Sequence, residues 1–224
     1  MPGFRANRPD GSIAIDSSYF NLALRQKGSL LLDETPNPSL PAFRGKTLVV
    51  AGDQSIIAYR SASPVALYSG LKQGNTFSYV FRGMNNNGPI WIDWFLFDLP
   101  AYGLRYPAGG KMIVRRPSDG AVVFDSQMMY MKVQDFFSSN DGVRDYPYLP
   151  AVVMVNRAWY RAASYSPYYV GVYRAGGSMA RVEGNRVITE STVEAAYPLD
   201  PSQEESYSWH GGYPAYLVVD VANF

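Results

Sequence analysis

The chain contains no cysteine and a single histidine among its 224 residues. The first absence excludes a disulfide framework, a thiolate metal site and a cysteine nucleophile together. The second excludes a histidine-built metal centre, because zinc sites use several His or Cys ligands. Charge of one sign is also missing: 20 basic residues face 19 acidic ones, a net +1, so no overall field draws the chain to nucleic acid or to an anionic membrane. No stretch approaches the about 18 uninterrupted apolar residues of a membrane-spanning helix. The greasiest run, Pro89 to Phe97, carries Asp93 in its middle. The amino-terminal MPGFRANRPDGSIAIDSS lacks the basic-then-apolar pattern of a secretory leader, so synthesis in the cytoplasm without a cleaved export signal is expected.

What the chain has is apolar and aromatic substance: 47% hydrophobic residues, including 18 Tyr, 11 Phe and 4 Trp, enough to fold around a sizeable core. Helical periodicity is nearly absent, with Phe20 to Lys27 the one stretch that suits a short helix. Strand-length runs rich in β-branched and aromatic residues recur instead: Lys46 to Ala51, Ser55 to Arg60, Asn75 to Arg82, Lys111 to Arg115, Ala151 to Val155, Tyr168 to Arg174 and Ala215 to Val221. Between them lie turn clusters such as Asn85-Asn-Asn-Gly-Pro89 and Pro107-Ala-Gly-Gly110. Phe77, Tyr79 and Phe81 alternate with Thr76, Ser78 and Arg82, the pattern of a strand with one wet face. Pro89 to Asp98 has large residues on both faces, Ile90, Ile92, Trp94 and Leu96 against Trp91, Phe95 and Phe97, so it belongs centrally or meets a partner. The expectation is an all-β protein, a β-sandwich of many short antiparallel strands, with a jelly-roll-like arrangement as one variant.

Three prolines fall within Thr35 to Pro41, stiffening the backbone and removing donors, which places a hinge or linker there. Residues 1–34 then form an extended amino-terminal arm or hairpin and residues 35–224 the sandwich domain. The other reading makes the proline segment a loop that joins a first hairpin to one continuous sandwich.

Candidate chemistry is sparse. His210 has no G-x-S-x-G nucleophile elbow to serve. Asp93 and Asp98 are the carboxylates to examine for glycan cleavage, which needs an acid and a base or nucleophile across the scissile bond. Five positions apart in one strand, they leave opposite faces, which favours a buried or turn-capping role. Asn140-Asp-Gly-Val-Arg-Asp145 offers oxygens but not the longer acidic loop that ends in a bidentate Glu. No catalytic residue, cofactor site or metal site is assigned. Tyrosines and tryptophans in the Pro/Ser/Gly-rich segments suit either the ends of a sandwich or an interface.

Two segments repeat a local device: Arg8 to Ser17 reads RPDGSIAIDS and Arg116 to Ser126 reads RPSDGAVVFDS. In each, Asp-Gly suits a tight hairpin turn, an alternating strand follows, and Asp-Ser ends it, where those side chains cap the next turn's backbone donors. The order Asp10-Gly-Ser-Ile-Ala-Ile-Asp-Ser-Ser-Tyr19 near the start, with Gly120-Ala-Val-Val-Phe-Asp-Ser126 in the middle, resembles a family of tail-tip and tail-fibre-associated proteins of long-tailed bacteriophages. The resemblance implies a non-enzymatic structural component of the virion tail tip or baseplate, in a homo- or hetero-oligomer with fibre and tail-tip subunits, and brings no catalytic residues. It also implies a role in joining fibres to the tail or in contacting a host-surface glycan or protein. Candidate contact residues are Tyr19, Leu22 and Leu24 in the arm and Trp91, Phe95, Tyr146 and Tyr148 beyond it. The rival readings are a carbohydrate-binding module for host cell-surface polysaccharide and a carboxylate-based glycan-cleaving enzyme.

Overall fold

A computed structural model describes residues 5–7, 13–16, 20–36, 43–85, 88–106, 111–166, 169–198, 206–210 and 212–224; for 7, 13–16, 161–166, 169–175, 194–198 and 206–210 the backbone alone is described. The chain runs through β1 (Arg5–Asn7), β2 (Ile13–Asp16), β3 (Ala23–Leu32), β4 (Phe43–Ala51), β5 (Ile56–Arg60), β6 (Val65–Gln73), β7 (Thr76–Met84) and β8 (Ile90–Asp98). A single 3-10 turn at Pro100–Tyr102 leads to β9 (Ile113–Arg115), β10 (Val122–Asp125), β11 (Val133–Ser138), β12 (Gly142–Asp145) and β13 (Pro150–Asn156). The chain ends with β14 (Trp159–Ser166), β15 (Tyr169–Glu183), β16 (Arg186–Pro198), β17 (Ser206–His210) and β18 (Ala215–Asp220).

The protein is all-β. A six-stranded sheet in the order β11-β18-β13-β5-β8-β3 faces an eight-stranded one in the order β12-β16-β15-β6-β7-β4, with β14 added beside β15 and β17 beside β14. Every pairing is antiparallel, and β1–β2 and β9–β10 form separate hairpins. The tight turns follow from glycine: Gly74 and Gly184 open two-residue loops with φ of 59° and 61°, the left-handed first position that other residues resist.

The main core lies between the sheets, and strand alternation assigns its residues. Ile90, Ile92, Trp94 and Leu96 of β8 and Tyr79 and Phe81 of β7 all enter it. Tyr59 on β5 ties the layers together. Fully buried, it sets its ring edge-on to Phe81 at 5.5 Å, and its hydroxyl donates to the Val65 carbonyl at 2.8 Å. Leaving that carbonyl unpaired would cost about 1–3 kcal/mol.

A second cluster covers the outer face of the six-stranded sheet. Leu24, Phe95, Phe97, Val153 and Val219 are buried there beneath Met129, Met131, Leu149 and Phe224. Phe224 packs edge-on to Phe97 at 5.5 Å. Strand β8 therefore sits between β5 and β3 with apolar cover on both sides, which is the central position its two-faced composition requires.

Two sequence expectations change. The stretch Phe20 to Lys27 is not helical, because Ala23–Leu32 pairs with β8 from Ala23↔Asp98 to Leu32↔Ile90 and buries Leu24 and Leu32 completely. A domain boundary at residue 34 also fails to describe the chain. The second half of the supposed arm is an integral strand, and Glu34 and Gly45 exchange backbone hydrogen bonds of 3.2 and 2.8 Å. The proline segment thus carries the chain from one sheet to the other within a single sandwich; its residues 37–42 lie outside the described residues.

The second Asp-Gly device is fully described. Its loop spans four residues rather than two, with Arg116 and Ala121 closing it: the Arg116 amide donates to the Ala121 carbonyl at 2.8 Å. Gly120 alone has positive φ, 75°. The Asp119 carboxylate takes the Ala121 amide at 3.1 Å and the Arg116 guanidinium at 2.9 Å, and these contacts, the guanidinium first, hold its pKa down at about 2. At the strand's end the buried Asp125 accepts the Gln127 amide at 3.0 Å, and the Ser126 hydroxyl accepts the Met112 amide at 2.9 Å. The Asp-Ser pair is a cap. In the first copy the hairpin β1–β2 is formed, while Asp10, Gly11 and Ser17 lie outside the described residues.

Candidate functional site

Strand β8 presents an unusual pair on the outer face of its sheet. Trp91 is 61% exposed although it sits on a central strand, and Asp93 beside it is also exposed. Register builds a polar row around them: Ser29 on β3, Asp93 on β8 and Arg60 on β5 are direct cross-strand partners. The Ser29 hydroxyl donates to Asp93 Oδ1 at 2.7 Å. One register step away lies Lys27, opposite Phe95. Among the described residues the side chains of Arg60 and Lys27 make no hydrogen bond or ion pair; Lys27 is exposed and Arg60 half-buried.

This row lies in a groove. One cavity of about 330 Å³ is lined by Lys27, Ser29, Arg60, Asp93, Phe95 and Phe224. A second, of about 380 Å³, shares Arg60 and Asp93 and adds Trp91, Glu183 and Gly184. A third, of about 330 Å³, shares Ala62 with the second and continues to Met84, Arg181 and Glu190. Gly28, opposite Trp94, makes room for that indole, since a Cβ there would stand 2.9 Å from the ring.

The groove wall is pinned by Ser61, which is buried. Its hydroxyl donates to the Trp91 carbonyl at 2.9 Å, and its own carbonyl accepts the Val182 amide at 2.7 Å, so one residue fastens β8 and β15 at the same point. Such support fixes the backbone that carries the exposed aromatic, so only the side chain itself is left to order on binding.

Asp98 belongs elsewhere. Fully buried, it accepts Arg25 at 2.8 Å, the Ser55 hydroxyl at 2.8 Å and the amides of Asp53, Gln54 and Leu99 at 2.9, 2.9 and 2.8 Å. Burial pushes its pKa up, but the three amides and the hydroxyl outweigh that, and the carboxyl stays below its ordinary range. It caps the β4–β5 turn, the structural role expected for it. Asp93 and Asp98 therefore have separate environments rather than one shared cleft.

The seven candidate contact residues divide. Trp91 and Phe95 meet at the groove, Trp91 exposed and Phe95 buried in its floor. Leu22 and Leu24 are held by their own chain, with the Leu24 amide donating to the Met129 carbonyl at 2.7 Å and the Leu22 carbonyl accepting the Met131 amide at 2.9 Å. Tyr146 is buried and Tyr148 half-buried against the main core, their rings 5.4 Å apart. The Tyr146 hydroxyl donates to Asp135 at 2.8 Å. Burial first, then Asp135 and Asp220, pushes Tyr148 up to about 12. These two tyrosines close the sandwich. Tyr19 lies outside the described residues, as does the side chain of His210.

Lys27, Ser29 and Arg60 were not singled out by the sequence, because only strand register gathers them. In the Asn140–Asp145 segment, Asp145 is held by Arg186 at 2.8 and 3.2 Å, and Asp141 accepts the Ser191 amide at 3.3 Å. Among the described residues no group of three or more His, Asp or Glu could hold a metal ion, and no helix is long and apolar enough to cross a membrane. No family model matches the chain, and neither a curated protein nor a solved structure matches it.

Proposed function

We propose that the chain is a non-enzymatic component of a bacteriophage tail tip, joining fibres to the tail or meeting the host surface. The observation that carries this reading is Trp91, exposed on a rigidly supported central strand where a lone protein would gain by burying or replacing it. The paired order of the Asp-Gly and Asp-Ser devices supports the tail context. A binding role is favoured over hydrolysis because Asp98 is committed to five donors, leaving Asp93 without that partner in the groove.

The test uses phage whose genome encodes the chain. Immunogold labelling should place the protein at the tail tip, and deletion of its gene should yield particles that lack fibres or fail to adsorb. Deletion particles with normal fibres and normal adsorption would refute the proposal.

A further inference from the structure

We infer that the Trp91 groove binds an extended, uncharged oligosaccharide. This deepens the host-contact part of the proposed function, and it can be tested without the tail. Four features of the groove converge on that ligand class.

The first is an exposed indole on a strand whose backbone Ser61 pins, a flat apolar plate with 61% of the residue's surface open to a ligand. The C–H face of a pyranose ring is the complementary surface, and stacking there removes apolar area from water on both sides. The second is the polar row. Ser29, Asp93 and Arg60 stand on three adjacent strands, so the row spans about 10 Å at the usual strand spacing, roughly the length of two linked pyranose rings. A sugar hydroxyl both donates and accepts. Asp93 only accepts, Arg60 and Lys27 only donate, and Ser29 does both, so vicinal hydroxyls can satisfy the row together.

Charge balance is the third feature. Lys27, Arg60 and Arg181 line the three cavities alongside Asp93, Glu183 and Glu190, one acidic residue for each basic one. A phosphate-rich or polycarboxylate ligand would be repelled by half of these groups. Continuity is the fourth. The cavities share Arg60 and Asp93, then Ala62, which suits a chain of sugar rings rather than a single compact molecule. An extended peptide is disfavoured by location. The site lies on a sheet face, where the backbone groups are already used in the ladder, and strand addition needs an open edge.

Isothermal titration of the full chain with a ladder of neutral hexose oligomers, from monosaccharide to hexasaccharide, tests the inference. Carboxylated oligomers of the same lengths form the second arm. Saturable binding that tightens with length in the neutral series is expected. Trp91→Ala should weaken it by roughly tenfold or more, and Asp93→Asn and Arg60→Ala each by roughly tenfold. Trp91→Phe should recover most of the affinity. Of the three positions, Trp91 and Asp93 are exposed and Arg60 is half-buried, and unchanged thermal melting will show that the four variants fold.

Absence of binding across the neutral series, wild-type affinity in Trp91→Ala, or tighter binding of the carboxylated series would each overturn the inference. A Trp91→Ala chain that is lost from purified tails, with no glycan binding by the parent, would also overturn it and identify the face as a protein-docking surface. Normal glycan binding in a chain absent from tails would uphold the inference and refute the tail reading.

Discussion

The six-stranded sheet carries apolar cover on parts of both faces, with Trp91, Phe136 and Val155 left more than half exposed, whereas the eight-stranded sheet covers the core with one face and leaves Val49 and Leu71 more than half exposed on the other. Both sheets use the same alternation, and the difference comes from what lies over them. Met129, Met131, Leu149 and Phe224 arrive from later parts of the chain to cover Phe95 and Phe97, while nothing among the described residues covers the row Val49–Ser78–Leu71. The cover is also incomplete in an informative place. It stops short of Trp91 and Asp93, and the groove is the gap that remains.

The comparison can be broken most strongly at Asp98, where β8 of the doubly covered sheet is tied to the β4–β5 turn. Asp98→Asn should cost about 3 kcal/mol, because five donors lose a charged acceptor in a buried site. Urea denaturation measures this directly. The same group sets an acid limit. Its pKa is lower in the folded chain than in the unfolded one, so its contribution is fully present above the unfolded value near 4 and is lost as pH falls through the folded value. Thermal melts of the parent should therefore decline below about pH 4 more steeply than those of Asp98→Asn.

Phe224→Ala removes part of the outer cover and should cost about 2 kcal/mol, since the ring is only partly buried yet packs on Phe95 and Phe97 at 6.2 and 5.5 Å. Hydrogen exchange should rise in β8 and β18 before it rises in β7. The smallest effect is expected on the wet side. Leu71→Ser with Val49→Thr should change stability by no more than about 1 kcal/mol in urea, and a larger loss would mean that this face is covered after all.

How much of this was legible depends on whether the deciding interaction was local. Alternation in Asn75 to Arg82 and the two apolar faces of Ile90 to Asp98 identified the core side chains apart from the exposed Trp91, because period two is a property of the strand itself. The Asp-Ser cap was legible for the same reason, its partners lying two residues away or just before the paired strand. Strand β3 was obscured because Leu-Ala-Leu-Arg is made of good helix formers, and pairing with β8 overrides that preference. The length of β15 was hidden by Ala-Gly-Gly, which signals a break. There the chain bulges, and Gly176 is needed because a Cβ would stand 2.2 Å from the Thr192 carbonyl oxygen.

By itself the sequence determined an all-β chain without disulfides, the facing of its central strands, and hairpin ends capped by aspartate. These follow from backbone periodicity and from hydrogen bonds within a few residues. Only the tertiary structure decided that the supposed arm supplies an integral strand, that Asp98 is a buried cap, and that Ser29, Asp93 and Arg60 form one row beside an exposed Trp91. Those outcomes depend on register between strands distant in the chain, which no local spacing encodes.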